Sequence, residues 1–156
     1  MRLRFVMVIF ALLVFCAAAV AADDPSVGTW KLNPSESKFS SGPQPQSIIL
    51  TIEPSGDNGL KITTETIDAQ GKKSVSVANG ALDGKDSPVT GDANADTASM
   101  KRVDADTTES QNKKSGRITS LLKRIVSRDR KKMTVTKTQN NAQGQTVVDI
   151  EVFDRI

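Results

Sequence analysis

From residue 29 onward the chain is a succession of short runs in which β-branched and apolar residues tend to fall at every second position. The runs cover residues 29–32, 47–53, 60–67, 74–81, 98–103, 107–113, 117–127, 132–138 and 146–155. In 47–53, Ile48, Leu50 and Ile52 share one face; in 74–81, Val75 and Val77 do the same. A period of two places successive side chains on opposite faces, which is the signature of a β-strand rather than a helix. The segments between the runs carry turn chemistry: 54–59, Asn79-Gly80, Asp83-Gly84 and 140–144. Glycine, asparagine and aspartate tolerate the positive-φ positions that tight turns need. Residues 68–72 and 141–145 look alike and read as one hairpin solution used twice. Eight to ten short strands at this spacing predict an all-β, antiparallel up-and-down meander that closes on itself.

Two segments fit this pattern poorly. Residues 33–45 hold three prolines and many serines and read as a loop, with room for one turn of helix at 35–39. In 118–126, Ile118, Leu121, Leu122, Ile125 and Val126 recur at helical spacing. The local pattern favours a helix and the surrounding meander a long strand; the expectation is a strand.

Hydrophobic supply limits the interior. Beyond residue 22 the aromatics are Trp30, Phe39 and Phe153. So few large side chains fit a thin core, or a barrel with a partly open interior, better than a solid two-layer packing.

The first 22 residues read differently. Arg2 and Arg4 precede an apolar run from Phe5 to Cys16, and Ala19-Val20-Ala21 forms an A-x-A site. This is the layout of a cleaved signal peptide, too short and wrongly flanked for a membrane span. Phe15 stands before Cys16 where a lipid-anchoring signal needs a small residue, so plain cleavage is expected. The expected division is a signal peptide over 1–22 and one β-barrel domain over 23–156, exported to the periplasm or secreted. The mature chain would have no transmembrane span. Its net charge would fall from +3 to about +1 with Arg2 and Arg4 gone, which does not suit a nucleic-acid partner.

Several chemistries are missing at the level of residue type. The chain has no histidine, and its one cysteine lies in the expected signal. That removes the Ser-His-Asp triad, the Cys-His pair and the common zinc sites. No enzyme, cofactor or metal is expected. The alternating oxygens of Asp92, Asn94 and Asp96 resemble the start of a calcium loop, but Thr97 and Val103 stand where its glycine and closing glutamate belong. A solvated turn is the better account. Ser35 and Lys38 match S-x-x-K without its partner motifs.

Charge is polarised along the chain. Residues 113–132 hold nine lysines and arginines against Asp129. Within them Lys123, Arg124, Arg128, Arg130, Lys131 and Lys132 form a candidate patch for an anionic envelope surface such as lipid headgroups. The plainer account is edge strands protected from aggregation by charge. No aromatics interleave these charges, so base stacking has little support.

Gly28-Thr29-Trp30 is a G-x-W motif and resembles the opening strand of the lipocalin and fatty-acid-binding-protein superfamily, the calycins. The run 27–33, Ser37-Lys38-Phe39, residues 83–91, 94–97 and 152–155 resemble a group of small exported bacterial lipocalin-like proteins of unassigned role. The resemblance implies an up-and-down barrel with a ligand cavity, closed at one end by the tryptophan of the first strand against a basic side chain. Arg155 is the candidate partner of Trp30, with Arg124 as a rival. Fatty-acid-binding proteins often end with an arginine two residues before an aromatic, gripping a carboxylate; Glu151 and Phe153 stand at those positions, so that clamp is missing. The inward face of the last strand stays open between two sets. Pattern points to Val148, Ile150 and Val152; the resemblance points to Glu151 and Phe153.

The functional expectation is an exported, non-enzymatic barrel that holds a small apolar or amphipathic ligand. The alternative is an envelope interaction protein that uses 113–132 on anionic surfaces, without a cavity ligand.

Overall fold

The computed structural model describes residues 24–156. The expected signal peptide at 1–22 lies outside the described residues.

Ten strands form a closed antiparallel barrel: β1 (Gly28–Leu32), β2 (Ser47–Pro54), β3 (Gly59–Ile67), β4 (Lys73–Ala81), β5 (Asp83–Thr90), β6 (Thr97–Arg102), β7 (Thr107–Lys114), β8 (Arg117–Val126), β9 (Lys132–Asn140) and β10 (Thr146–Arg155). Each strand pairs with the next, and β1 pairs with β10 to complete the ring. This is the expected up-and-down barrel, at the upper end of the expected strand number. No helix among the described residues is long and apolar enough to cross a membrane.

Hairpin chemistry follows the sequence closely. Asp68 Oδ1 accepts the amides of Gln70 and Lys72, and Asn141 Oδ1 accepts those of Gln143 and Gln145, so the two look-alike turns are one structure. The segment 118–126 is strand. Its helical spacing arises because β8 carries apolar residues on both faces: Leu122 and Val126 turn inward, while Ile118, Leu121 and Ile125 face solvent.

Strand β5 is absent from the sequence reading, and Asn79-Gly80 is not a turn but part of β4. Gly80 is small for a packing reason. A Cβ there would run into Ser87 of β5 and meet Met100 of β6. The chain reverses instead around Leu82–Gly84, where Gly84 has φ 82°. The seam that results is thin: Val77 pairs with Thr90 and Ala78 with Val89. Residues 33–45 hold a turn and an isolated bridge, with no helix at 35–39. Lys38 and Ile150 exchange backbone hydrogen bonds, which lays this strap alongside β10.

One end of the barrel is solid. Trp30, Ile52, Leu60, Met100, Val126, Met133 and Phe153 fill it. Trp30 and Phe153 are fully buried. Each aromatic withdraws ~150–250 Å² from water, worth about 4–6 kcal/mol before entropy is counted. The indole Nε1 donates to Ser26 O at 2.8 Å, so the ring leaves no polar atom unpaired. The guanidinium of Arg155 stacks on it, 4.1 Å from the ring centre. Its Nη1 and Nη2 donate to the carbonyls of Val27 and Pro25 at 2.7 and 2.6 Å, and its Nε to that of Arg130 at 2.6 Å. Gly28 makes room for this contact: its φ is 138°, and any Cβ would collide with Arg155 Nη1. The glycine of the G-x-W motif therefore has a stated job.

Candidate functional site: a charged barrel cavity

Packing stops beyond the aromatic plug. Toward the other end many inward positions become short or polar, Ser74, Ser76, Lys137 and Asp149 among them, and a cavity of about 690 Å³ opens, lined by residues of all the strands β2–β5 and β7–β10. That volume suits a small organic molecule. Its two walls differ. On β2 and β3, Ile48, Leu50 and Ile62 give an apolar wall that grades into Thr64 and Thr66. On β8, β9 and β10, Arg124, Lys137, Asp149 and Glu151 give a charged one.

Register explains the charged wall. Val135 pairs with Arg124 on one side and Glu151 on the other, so these three form one row across β8, β9 and β10. Leu122, Lys137 and Asp149 form the next row toward the mouth. The inward set of β10 is therefore Asp149, Glu151 and Phe153, and Val148 is 44% exposed. The pattern-based expectation that Val148, Ile150 and Val152 point inward is overturned. Phe153 belongs to the plug and fixes the parity of the strand, which carries the acidic residues inside with it.

Arg124 enters the cavity from β8. Its Nη1 donates to the Ser110 hydroxyl at 2.6 Å, while its Nε is buried with no partner. Burial pushes the guanidinium below its ordinary value, and the charge of Glu151 opposes that. Glu151 is pushed up by burial; Lys137 pulls it down, Asp149 raises it and Arg124 lowers it.

Asp149 has a structural task. It is 1% exposed. Its Oδ1 accepts the amides of Ser40 and Ser41 at 2.6 and 2.9 Å, and its Oδ2 accepts the Ser41 hydroxyl and the Gln139 amide. Burial alone would raise this carboxyl, but the Ser41 hydroxyl, the two backbone amides and Gln139 together hold it below the usual carboxylate range. The carboxylate thus latches the strap so that Phe39 lines the cavity beside its mouth.

The six residues of the expected basic patch do not form one surface. Arg124 is inside the barrel, on the inward parity of β8, and is no part of an outer patch; the guanidinium stacked on Trp30 is that of Arg155. Lys132 is paired with Glu36 at 2.7 Å and Asp154 at 3.0 Å. Lys123, Arg128, Arg130 and Lys131 are exposed. Arg130 occupies a hairpin tip with φ 58° and gives its carbonyl to Arg155. In the calcium-like stretch, Asp92 accepts the Asn94 amide and Asp96 that of Ser115, so both carboxylates brace turns. Ser35 donates to Asn33, and Lys38 is held at the strap by its backbone.

Sequence reasoning did not single out Lys137, Asp149, Gln139 or Ser110. A signal was present: Lys137 and Gln139 share the parity of Met133 and Val135, both core residues.

No family model matches the sequence, and no curated protein matches it. Among solved structures, the chain is similar to the fluorescent protein UnaG in two of its asparagine mutants. One has a TM-score of 0.60 at 16% identity over 85% of this chain and 96% of that one. The other has a TM-score of 0.58 at the same identity and coverage. It is also similar to zebrafish ileal bile acid-binding protein complexed with cholic acid, with a TM-score of 0.51 at 14% identity over 85% of this chain and 99% of that one. Identities this low speak to architecture alone, and the architecture they give this chain is the lipocalin-like barrel of the calycin fold.

Proposed function

We propose that the protein binds one small amphipathic molecule inside the barrel, without catalysing a reaction on it, and that it does so after export from the cytoplasm. The observation that carries this reading is Arg124. A guanidinium whose Nε has no protein partner faces a cavity of about 690 Å³ with an apolar wall opposite. A buried unpaired donor is expensive, and a ligand acceptor at that place satisfies it. The apolar body of such a ligand fits against Ile48, Leu50 and Ile62. Cholic acid, held by one of the similar barrels, combines an apolar body with an acidic end and illustrates the class.

Catalysis has little to work with. Asp149 and Glu151 share the inner face, yet both oxygens of Asp149 are engaged by donors. Export is supported by the layout of residues 1–22. The alternative reading, an outer basic surface on an anionic polymer, retains Lys123, Arg128, Arg130 and Lys131 and loses Arg124 to the interior.

Native mass spectrometry of protein purified from its own source tests the reading directly, by the mass of a co-purifying molecule. A titration with 1-anilinonaphthalene-8-sulfonate, an apolar anion, tests it in vitro. Arg124→Met should weaken that probe by about ten- to a hundredfold, the worth of one charge-assisted contact of about 1.5–3 kcal/mol. Lys123→Met on the outer face should leave it unchanged. Equal affinities in the wild type and Arg124→Met would refute the role of Arg124.

A further inference from the structure

Glu151 occupies an unusual position for a site that receives an acidic group. It stands on the inner face of β10, in one row with Arg124, and Val135 separates the two. Two strand spacings put their backbones ~10 Å apart, a gap that a ligand head can fill. Among the described residues its carboxyl has no hydrogen-bond or ion-pair partner, unlike that of Asp149 one row nearer the mouth. The charged groups facing it are Lys137 on β9, Arg124 on β8 and Asp149 on its own strand. Asp68, Lys72 and Asp92 line the same cavity from the turns at the mouth. On its other flank β10 meets β1 and the strap, which present Leu32 and Phe39.

An anion placed beside Arg124 therefore meets two inward carboxylates as well as two cations. Asp149 is fixed in its charged form by the strap. Glu151 is free to change. We propose that Glu151 sets the charge selectivity of the cavity: an amphipathic anion binds between Arg124, Lys137 and Glu151, and the Glu151 carboxylate takes one proton from solvent as it does so. The resulting O–H donates to the anionic oxygen of the ligand. Like-charge repulsion becomes a hydrogen bond. Burial already pushes the Glu151 carboxyl up, in the direction that favours its protonated form. This inference rests on the reading of the barrel interior as a ligand site.

Linkage gives the measurable consequence. Where the free protein holds Glu151 charged and the complex holds it neutral, affinity for an anion rises as pH falls, approaching tenfold per pH unit. The probe is 1-anilinonaphthalene-8-sulfonate, whose sulfonate stays ionised, titrated between pH 8 and pH 5. N-phenyl-1-naphthylamine, its uncharged analogue, serves as the comparison. Calorimetry in two buffers of different ionisation enthalpy counts protons taken up per sulfonate bound.

The wild type should bind the sulfonate more tightly as pH falls, with uptake approaching one proton. The neutral analogue should bind with no pH dependence. Glu151→Gln should bind the sulfonate more tightly than the wild type at pH 8, with a flat profile and no uptake. A flat wild-type profile, zero uptake, or a Glu151→Gln slope equal to that of the wild type overturns the proposal while leaving the ligand site intact. Binding of neither probe at any pH overturns the ligand site itself, and this inference with it. The proton count needs no variant, so a Glu151→Gln protein that fails to fold does not shield the proposal.

Discussion

Replacing Arg155 with alanine removes four contacts at once and should loosen the closed end of the barrel. The guanidinium reaches three carbonyls, those of Pro25, Val27 and Arg130, at 2.6–2.7 Å. Each such bond is worth about 0.5–1.5 kcal/mol net. The stack on Trp30 adds about 0.5–2 kcal/mol, depending on how dry the pair is. Arg155 is partly exposed, so the lower half of each range applies, and the sum comes to about 3 kcal/mol. In a chain of this size that lowers the melting temperature by ~10 °C. The chain has one tryptophan and no tyrosine, so intrinsic emission reports on this very contact. Urea unfolding followed by that emission gives the free energy, with circular dichroism as a second probe of two-state behaviour. Arg155→Lys keeps the charge and loses the planar fork, and should lose most of the 3 kcal/mol as well. Lys131→Ala, at an exposed neighbour, should change stability by less than ~0.5 kcal/mol. If Arg155→Ala stays within ~1 kcal/mol of the parent, or Arg155→Lys matches the parent, the reasoning from contacts fails.

Asp149→Asn should lower stability by about 2–3 kcal/mol at neutral pH, because the amide faces donors with a donor of its own. The folded carboxyl lies below its ordinary value of 3.8, so its contribution is full above that pH and fades as the pH falls through the lower folded value. Melting curves of both proteins should therefore run apart at pH 5–7 and converge in acid below 3.8; a gap that persists unchanged in strong acid would show that the charge is not its source. Gly28→Ala should cost about 2–4 kcal/mol through backbone strain and collision with the Arg155 guanidinium. In an Arg155→Ala background the penalty should shrink to the strain alone, about 1 kcal/mol, and a double-mutant cycle with no coupling would remove the collision from the account.

Most of the architecture is legible in the sequence because hydrogen-bonded hairpins are local. Asp68 and Asn141 each fold their own turn from side chain to nearby amides, and nothing distant is needed. What is less legible depends on what lies across the barrel. Gly80 looks like a turn residue until Ser87 is packed against it. Period two establishes that β10 has two faces, but not which one is wet. The assumption that apolar means inside fails for Val148, because the wall that β10 gives to the cavity is charged, with Asp149 and Glu151 on the inner face. The same inversion places Arg124 inside and leaves Leu121 and Ile125 outside at 44% and 42% exposure, which is why β8 imitates a helix. The site is hard to see in advance because its charges come from three strands whose register is set by Phe153 and Met133 at the far end.

Every lateral neighbour in the ring but one is also the next strand along the chain. The exception joins β1 to β10, where Trp30 lies opposite Arg155. Hairpins can therefore zip up in order as the polypeptide emerges, yet the ring stays an open ribbon with two bare margins until its last stave arrives. That unsealed ribbon is also the form most prone to sticking to its own copies. Placing the indole and the guanidinium on opposite sides of that single long-range join makes the final closure the step that hides both margins together.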